Sequence, residues 1–153
     1  MADGPRRRLA ALGLELPPPF APVATYQPAV LSGNRLYVSG QGPVWGKEIR
    51  CQGRLGRDHG AEQAHAAARL TMLNVLAHVE SAVGLDRVER ALHMFGLVNA
   101  DPGSAEAHAV AAEGAVLLEQ VFGTAGRCAV SCIAATSLPF QIAVEMDAVF
   151  EIA

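Results

Sequence analysis

Two stretches near the C-terminus restrict the fold more than anything else in the chain. Cys128-Ala129-Val130-Ser131-Cys132-Ile133-Ala134-Ala135 and Ile142-Ala143-Val144-Glu145-Met146-Asp147-Ala148-Val149-Phe150 both read as strands, joined through Leu138-Pro139. Side chains alternate faces along a strand. Cys128, Val130, Cys132 and Ala134 therefore share one face, and Glu145 and Asp147 share another. The spacing predicts that the two strands pair, which would bring an acid, a thiol and an apolar side chain close together.

Upstream, Ala29-Val30-Leu31, a Ser32-Gly33-Asn34 turn and Arg35-Leu36-Tyr37-Val38-Ser39 read as a β-hairpin. Gly42 to Gly60 is Gly-rich and reads as a loop holding at most a short strand. A long helix is expected over 61–83, because Ala68, Met72, Val75, Val79 and Val83 recur at spacings of four and three, and Gly84 ends it. A strand follows over 91–98. Asp101-Pro102-Gly103 then turns the chain into a second helix over 104–122, with Val110, Gly114, Leu117, Leu118 and Val121 as its buried stripe and Gly123 as its stop. The order is β-β-α-β-α-β-β. Strands and helices do not alternate strictly, so an α+β sheet with helices on one face is expected in place of a doubly wound fold.

At 153 residues the chain reads as a single domain, 1–153, with a Pro-rich N-terminal extension over 1–22. Pro17-Pro18-Pro19 and Pro22 force an extended lead-in and end any short helix formed by Arg6 to Leu12. Hydrophobic residues make up 51% and charged residues only 18%, a surplus that predicts apolar surface covered by another subunit. A net charge of -3 gives no electrostatic reason to bind nucleic acid. Arg6-Arg7-Arg8, the only basic run, reads as a solvated tail. No segment has signal-peptide or membrane-spanning character, and three cysteines without a secretion signal suggest reduced thiols and a cytoplasmic protein.

Familiar chemistries find little support. The five histidines are scattered, with no ligand pair at helical spacing and no Cys-x-x-Cys, so neither a metal nor another cofactor is expected. Cys128 and Cys132 would sit about 13 Å apart along a strand, too far for one metal or a disulfide. Cys132 has no histidine near it in sequence and reads as a small buried thiol. Gly40-Gln41-Gly42 lacks the pattern that opens a helix onto a pyrophosphate.

Tyr26, Val38-Ser39-Gly40-Gln41-Gly42-Pro43, Ser131-Cys132, and Leu138-Pro139 leading to Val144-Glu145-Met146-Asp147-Ala148 together resemble the Rid family, also called the YjgF or endoribonuclease L-PSP family. The resemblance extends from about Leu9 to Ile152. It implies a chorismate-mutase-like homotrimer with small-molecule clefts between subunits. It also implies hydrolysis of reactive imines and enamines such as 2-aminoacrylate, with a glutamate that activates water and an arginine that clamps the substrate carboxylate. Carried onto this chain, the glutamate is Glu145, the cysteine Cys132, the tyrosine Tyr26 and the loop Ser39-Gly40-Gln41. The arginine position is Val130, and a position often occupied by asparagine falls near Pro102.

Val130 offers no charge or donor, and an unpaired carboxylate in a cleft costs several kcal/mol. The 2-aminoacrylate reaction is therefore disfavoured unless Arg35, Arg54 or Arg127 reaches the site. Glu145 has two readings, a desolvated general base or a carboxylate held by donors that fix an interface. Trp45 and Phe20 are candidates to cover the cleft mouth. Two functions stand side by side. One is water addition to, or proton transfer on, a neutral or weakly polar imine, enamine or carbonyl compound. The other is noncatalytic binding of a metabolite or partner.

Overall fold

A computed structural model describes residues 4–22 and 24–153. Seven strands are assigned: β1 (Ala29–Ser32), β2 (Arg35–Gln41), β3 (Val44–Trp45), β4 (Glu48–Ile49), β5 (Val88–Asn99), β6 (Ala129–Ala135) and β7 (Val144–Ile152). The helices are α1 (Pro5–Ala11), α2 (Ala61–Ala82) and α3 (Ala107–Phe122). Five strands form one sheet in the order β1-β2-β7-β5-β6, and β3 and β4 form a separate hairpin. The expected α+β order holds, with the loop after Gly42 supplying the extra hairpin.

The two C-terminal strands do not pair, contrary to the expectation from their spacing. β7 lies antiparallel between β2 and β5, and β6 lies parallel to the far side of β5. Burial accounts for the order. Along β7 every second side chain is buried, from Val144 through Met146, Ala148 and Phe150 to Ile152, whereas no side chain of β6 is fully buried. The strand with the strongest apolar face takes the centre of the sheet, where burial of each large side chain is worth about 1.5–3 kcal/mol. The small side chains of β6 suit an edge. Because α3 carries the chain from β5 to β6, that pair is parallel, as a crossover helix requires.

Both long helices pack on the same face. The α2 stripe of Ala68, Met72, Val75 and Val79 is buried, as is the α3 stripe of Val110, Gly114, Leu117, Leu118 and Val121. Gly114 is where α3 approaches the sheet most closely, since a Cβ there would lie 2.7 Å from Met146 Sδ and 2.8 Å from Met94 Sδ. The other face of the sheet has no covering layer within the described chain. Val30, Tyr37 and Ile133 lie on it with exposures of 49%, 46% and 52%.

The arginine run is not a solvated tail. It forms α1, which docks through buried Leu9, while Arg6 pairs with Glu80 and Asp86, and Arg8 donates to the Val121 carbonyl. β5 also begins earlier than its apolar pattern indicates, at Val88, because pairing with β7 draws in the polar residues Glu89 and Arg90.

Candidate functional site

β2 and β7 pair regularly up to Val38 opposite Ala148, and pairing resumes at Gln41 opposite Met146. Ser39 and Gly40 thus fill the space opposite Asp147, forming a β-bulge of the kind that re-aims side chains near sites. Glycine is required there for room. A Cβ on Gly40 would overlap the Glu145 carboxylate, so the acid lies directly against the bulge. Ser39 is fixed from both ends, with its N–H donating to the Pro28 carbonyl and its hydroxyl to the Gln27 carbonyl. Gln41 is buried and donates to the Ser39 carbonyl at 3.1 Å.

This bulge forms the floor of a cleft of about 820 Å³. Tyr26, Ser39, Gly40, Gln41 and Glu145 all line it, together with Asp147 from β7 and Phe20 from the proline-rich lead-in. One side is closed by the β3–β4 hairpin through Val44, Lys47 and Ile49, and the other by Pro139, Phe140 and Ile142. Most of the wall is apolar. Such a concave site with a few polar groups on its floor suits a small molecule.

Both flanking loops are anchored by side chains that sequence patterns did not reveal. Asn74, buried in α2, donates to the carbonyls of Gly42 and Val44 at 3.1 and 2.8 Å. Gln52 donates to the Phe140 carbonyl at 2.8 Å, and the Gly53 N–H donates to the Gln141 carbonyl at 2.7 Å. Those bonds hold Phe140 and Gln141 in the left-handed region, with φ of 57° and 56°, which non-glycine residues seldom adopt. Phe140 is thereby presented at the cleft with 64% of its surface exposed.

Glu145 makes no hydrogen bond or ion pair among the described residues. Its pKa is raised, first by burial and then by the nearby Asp147 carboxylate. That of Asp147 is raised by burial as well, with His93 opposing the shift. A carboxyl group in these surroundings favours its protonated form and becomes a stronger base once ionised. Lys47 is the only Lys or Arg side chain on the cleft wall among the described residues. Arg54 is committed to Asp101 and the Thr136 carbonyl, and Arg127 to Glu119. Arg35 does not line the cleft.

Val130 and Cys132 are not on this cleft. β5 separates them from β7, and they face the helices while Glu145 faces the open side. The register makes this plain, since Cys132 stands beside Gly96, Gly96 in turn pairs with the buried Met146 on its other side, and a Cβ on Gly96 would meet Ala111 of α3. Trp45 and Pro102 also lie outside the cleft lining, whereas Phe20 is part of it. Cys132 does have a histidine partner, although none is near in sequence. The Nδ1 atom of His108, on the first turn of α3, lies 2.9 Å from its sulfur. No group of three His, Cys, Asp or Glu side chains that could hold a metal occurs among the described residues, and none of the described helices is long and apolar enough to cross a membrane.

A five-stranded sheet with two long helices on one face, and a cleft built on a bulge at its open face, defines an α+β fold class. Residues 6–147 match the family model described as "YjgF/chorismate_mutase-like, putative endoribonuclease", and the chain belongs to that YjgF (Rid) family. It is 38% identical over 146 residues to Protein TCP17 of Trypanosoma cruzi, covering 94% of this chain and 91% of that one. Among solved structures, a protein of unknown function from Agrobacterium tumefaciens matches with a TM-score of 0.89 at 38% identity, over 98% of this chain and 92% of that one. A "putative endoribonuclease" from Shewanella oneidensis matches with a TM-score of 0.93 at 31% identity, over 97% and 99% of the two chains.

Proposed function

We propose that this YjgF-family chain hydrolyses or tautomerises a small, neutral or weakly polar imine, enamine or related carbonyl compound, with Glu145 as the general base. The observation that carries the reading is the unpartnered Glu145 carboxylate on the floor of an apolar cleft, its pKa raised by burial. In hydrolysis, ionised Glu145 takes a proton from water as the water oxygen bonds to the imine carbon. The proton Glu145 has taken passes to the imine nitrogen to give the carbinolamine. Its hydroxyl proton then moves through Glu145 to the nitrogen as the C–N bond breaks, releasing the amine and leaving a carbonyl product. A base of raised pKa suits proton transfer near neutral pH.

The active form in this reading is a homotrimer. Assembly covers the open sheet face and offers Val130 and Cys132 a route to a neighbouring subunit's cleft, which they do not reach within their own chain. Val130 in place of a guanidinium argues against 2-aminoacrylate as the preferred substrate, because no bidentate partner awaits its carboxylate. The acidic balance argues against RNA cleavage. Noncatalytic binding of a metabolite in the same cleft is the competing function, favoured by the predominantly apolar wall.

Turnover separates the two. Neutral imines generated in situ are offered to wild type and to Glu145→Gln, with amine release followed. Catalysis predicts wild-type turnover that falls at least about 100-fold in the variant. Binding of the imines or their carbonyl products without wild-type turnover would establish the noncatalytic function.

A further inference from the structure

The cleft above Glu145 concentrates aromatic side chains. Both tyrosines of the chain, Tyr26 and Tyr37, and two of its five phenylalanines, Phe20 and Phe140, line it. Three of the four remain open to contact, with Tyr26 43%, Tyr37 46% and Phe140 64% exposed. A volume of about 820 Å³ lies in the range that takes a drug-sized ligand and far exceeds what a three-carbon imine fills.

Phe140 is set apart by its backbone. It stands outside the hydrophobic core, so packing within the chain does not account for its position. Its φ is nevertheless held at the left-handed value of 57°, with Gln52 donating to its carbonyl at 2.8 Å and the Gly53 N–H donating to the next carbonyl, that of Gln141, at 2.7 Å. Strain of this kind gathers at ligand clamps. The turn fixes a bare aromatic ring on the wall of a cleft whose other rings come from β2 and the N-terminal lead-in.

We propose, resting on the reading of Glu145 as the base of this cleft, that the imine, enamine or carbonyl compound it takes carries an aromatic ring, and that Phe140 sets this specificity by packing against that ring. Offset or edge-to-face contact between rings adds to burial alone, and so separates an aryl group from a saturated ring of the same carbon skeleton.

The experiment titrates native full-length protein, followed by NMR, with acetophenone and with cyclohexyl methyl ketone, uncharged ketones of one carbon skeleton. Wild type is expected to bind acetophenone about 3–10-fold more tightly. Phe140→Leu, which keeps an apolar side chain on the same backbone, should cut that preference to below about twofold, and Phe140→Tyr, which keeps the ring, should retain it. Equal affinity of wild type for the two ketones, no binding of either, or a preference that survives in Phe140→Leu overturns the proposal. So does a light-scattering mass for Phe140→Leu that differs from wild type, since the ring would then belong to a subunit contact. Intermolecular NOEs from the acetophenone ring to Phe140 in wild type test the contact without a variant, and their absence overturns it. None of these readouts needs turnover. Wild-type hydrolysis of neutral imines without a ring preference would overturn this proposal and leave the assignment of Glu145, whereas a ring preference without hydrolysis would do the reverse.

Discussion

Replacing Glu145 by glutamine removes a charge that the fold does not compensate. The Glu145 carboxylate lies against Gly40, has no hydrogen-bond donor among the described residues, and shares its strand face with Asp147. Its folded-state pKa is raised above the ordinary value of 4.5, with burial the larger cause. The native state therefore holds the proton more tightly than the unfolded chain does, and stability falls as pH rises through that interval. Above the folded-state pKa the full penalty is present; below 4.5 it is absent. Glutamine keeps the shape and removes the penalty, so Glu145→Gln should stabilise the neutral-pH protein by about 0.5–2 kcal/mol. For a chain of this length that is about 1–8 °C in Tm. The advantage should shrink as the solution is acidified through that interval and vanish below 4.5, where Glu145 is protonated in the unfolded chain as well. Thermal unfolding of both proteins at one protein concentration, across a pH series, measures it. A variant less stable than wild type at neutral pH would refute the reasoning, since it would mean the carboxylate is held by donors, as a group fixing an interface would be.

Further substitutions test the geometry around the acid. Gly40→Ala should displace the Glu145 carboxylate from the bulge and lower turnover by about 100-fold, since a misplacement of about 1 Å has that effect, and Glu145 Cδ and Cγ would lie only 3.1 and 3.2 Å from the new Cβ; steady-state rates check it. Gly114→Ala forces a methyl against the sulfurs of Met146 and Met94, and the overpacking of about 1–3 kcal/mol outweighs the helix-propensity gain of about 1 kcal/mol. A lower denaturation midpoint with an unchanged m-value is the expected result. Val130→Arg should add 2-imino-acid hydrolysis only in the assembled protein, because Val130 and Glu145 face opposite sides of the sheet within one chain. Light scattering should give three times the 16.0 kDa chain mass on the same sample.

Local features of the fold were legible where chemistry and geometry are both local. The period of Ala68, Met72, Val75 and Val79 defines α2, and the alternation from Val144 to Phe150 defines β7 to within a residue or two. Strand order was not legible, because neighbouring strands in sequence usually pair, and only the contrast in burial between β6 and β7 separates them. The floor of the cleft was readable in Tyr26, Ser39-Gly40-Gln41 and Glu145, which the family pattern links and which the structure gathers in one place. The bulge that joins them depends on register, which no residue type announces. Lys47, Asn74 and Gln52 are ordinary polar residues in sequence and acquire their roles only from the folded contacts, Lys47 and Asn74 at the β3–β4 hairpin and Gln52 at the Phe140 carbonyl. His108 and Cys132 meet because the crossover through α3 returns the chain to β5, a pairing that spacing along the sequence conceals. Hydrogen bonds to the Phe140 and Gln141 carbonyls likewise hold a left-handed turn where no glycine marks one.

The central claim is that ionised Glu145 activates water in an apolar cleft, and the pH dependence of kcat/KM for hydrolysis of a neutral imine tests it most directly. The raised Glu145 pKa predicts that activity rises with pH along an acid limb placed above the ordinary glutamate value of 4.5, since the base must lose its proton to act. Glu145→Gln should abolish that limb together with the activity it reports. A wild-type profile with no limb in that range, or the same limb surviving in Glu145→Gln, would contradict the assignment.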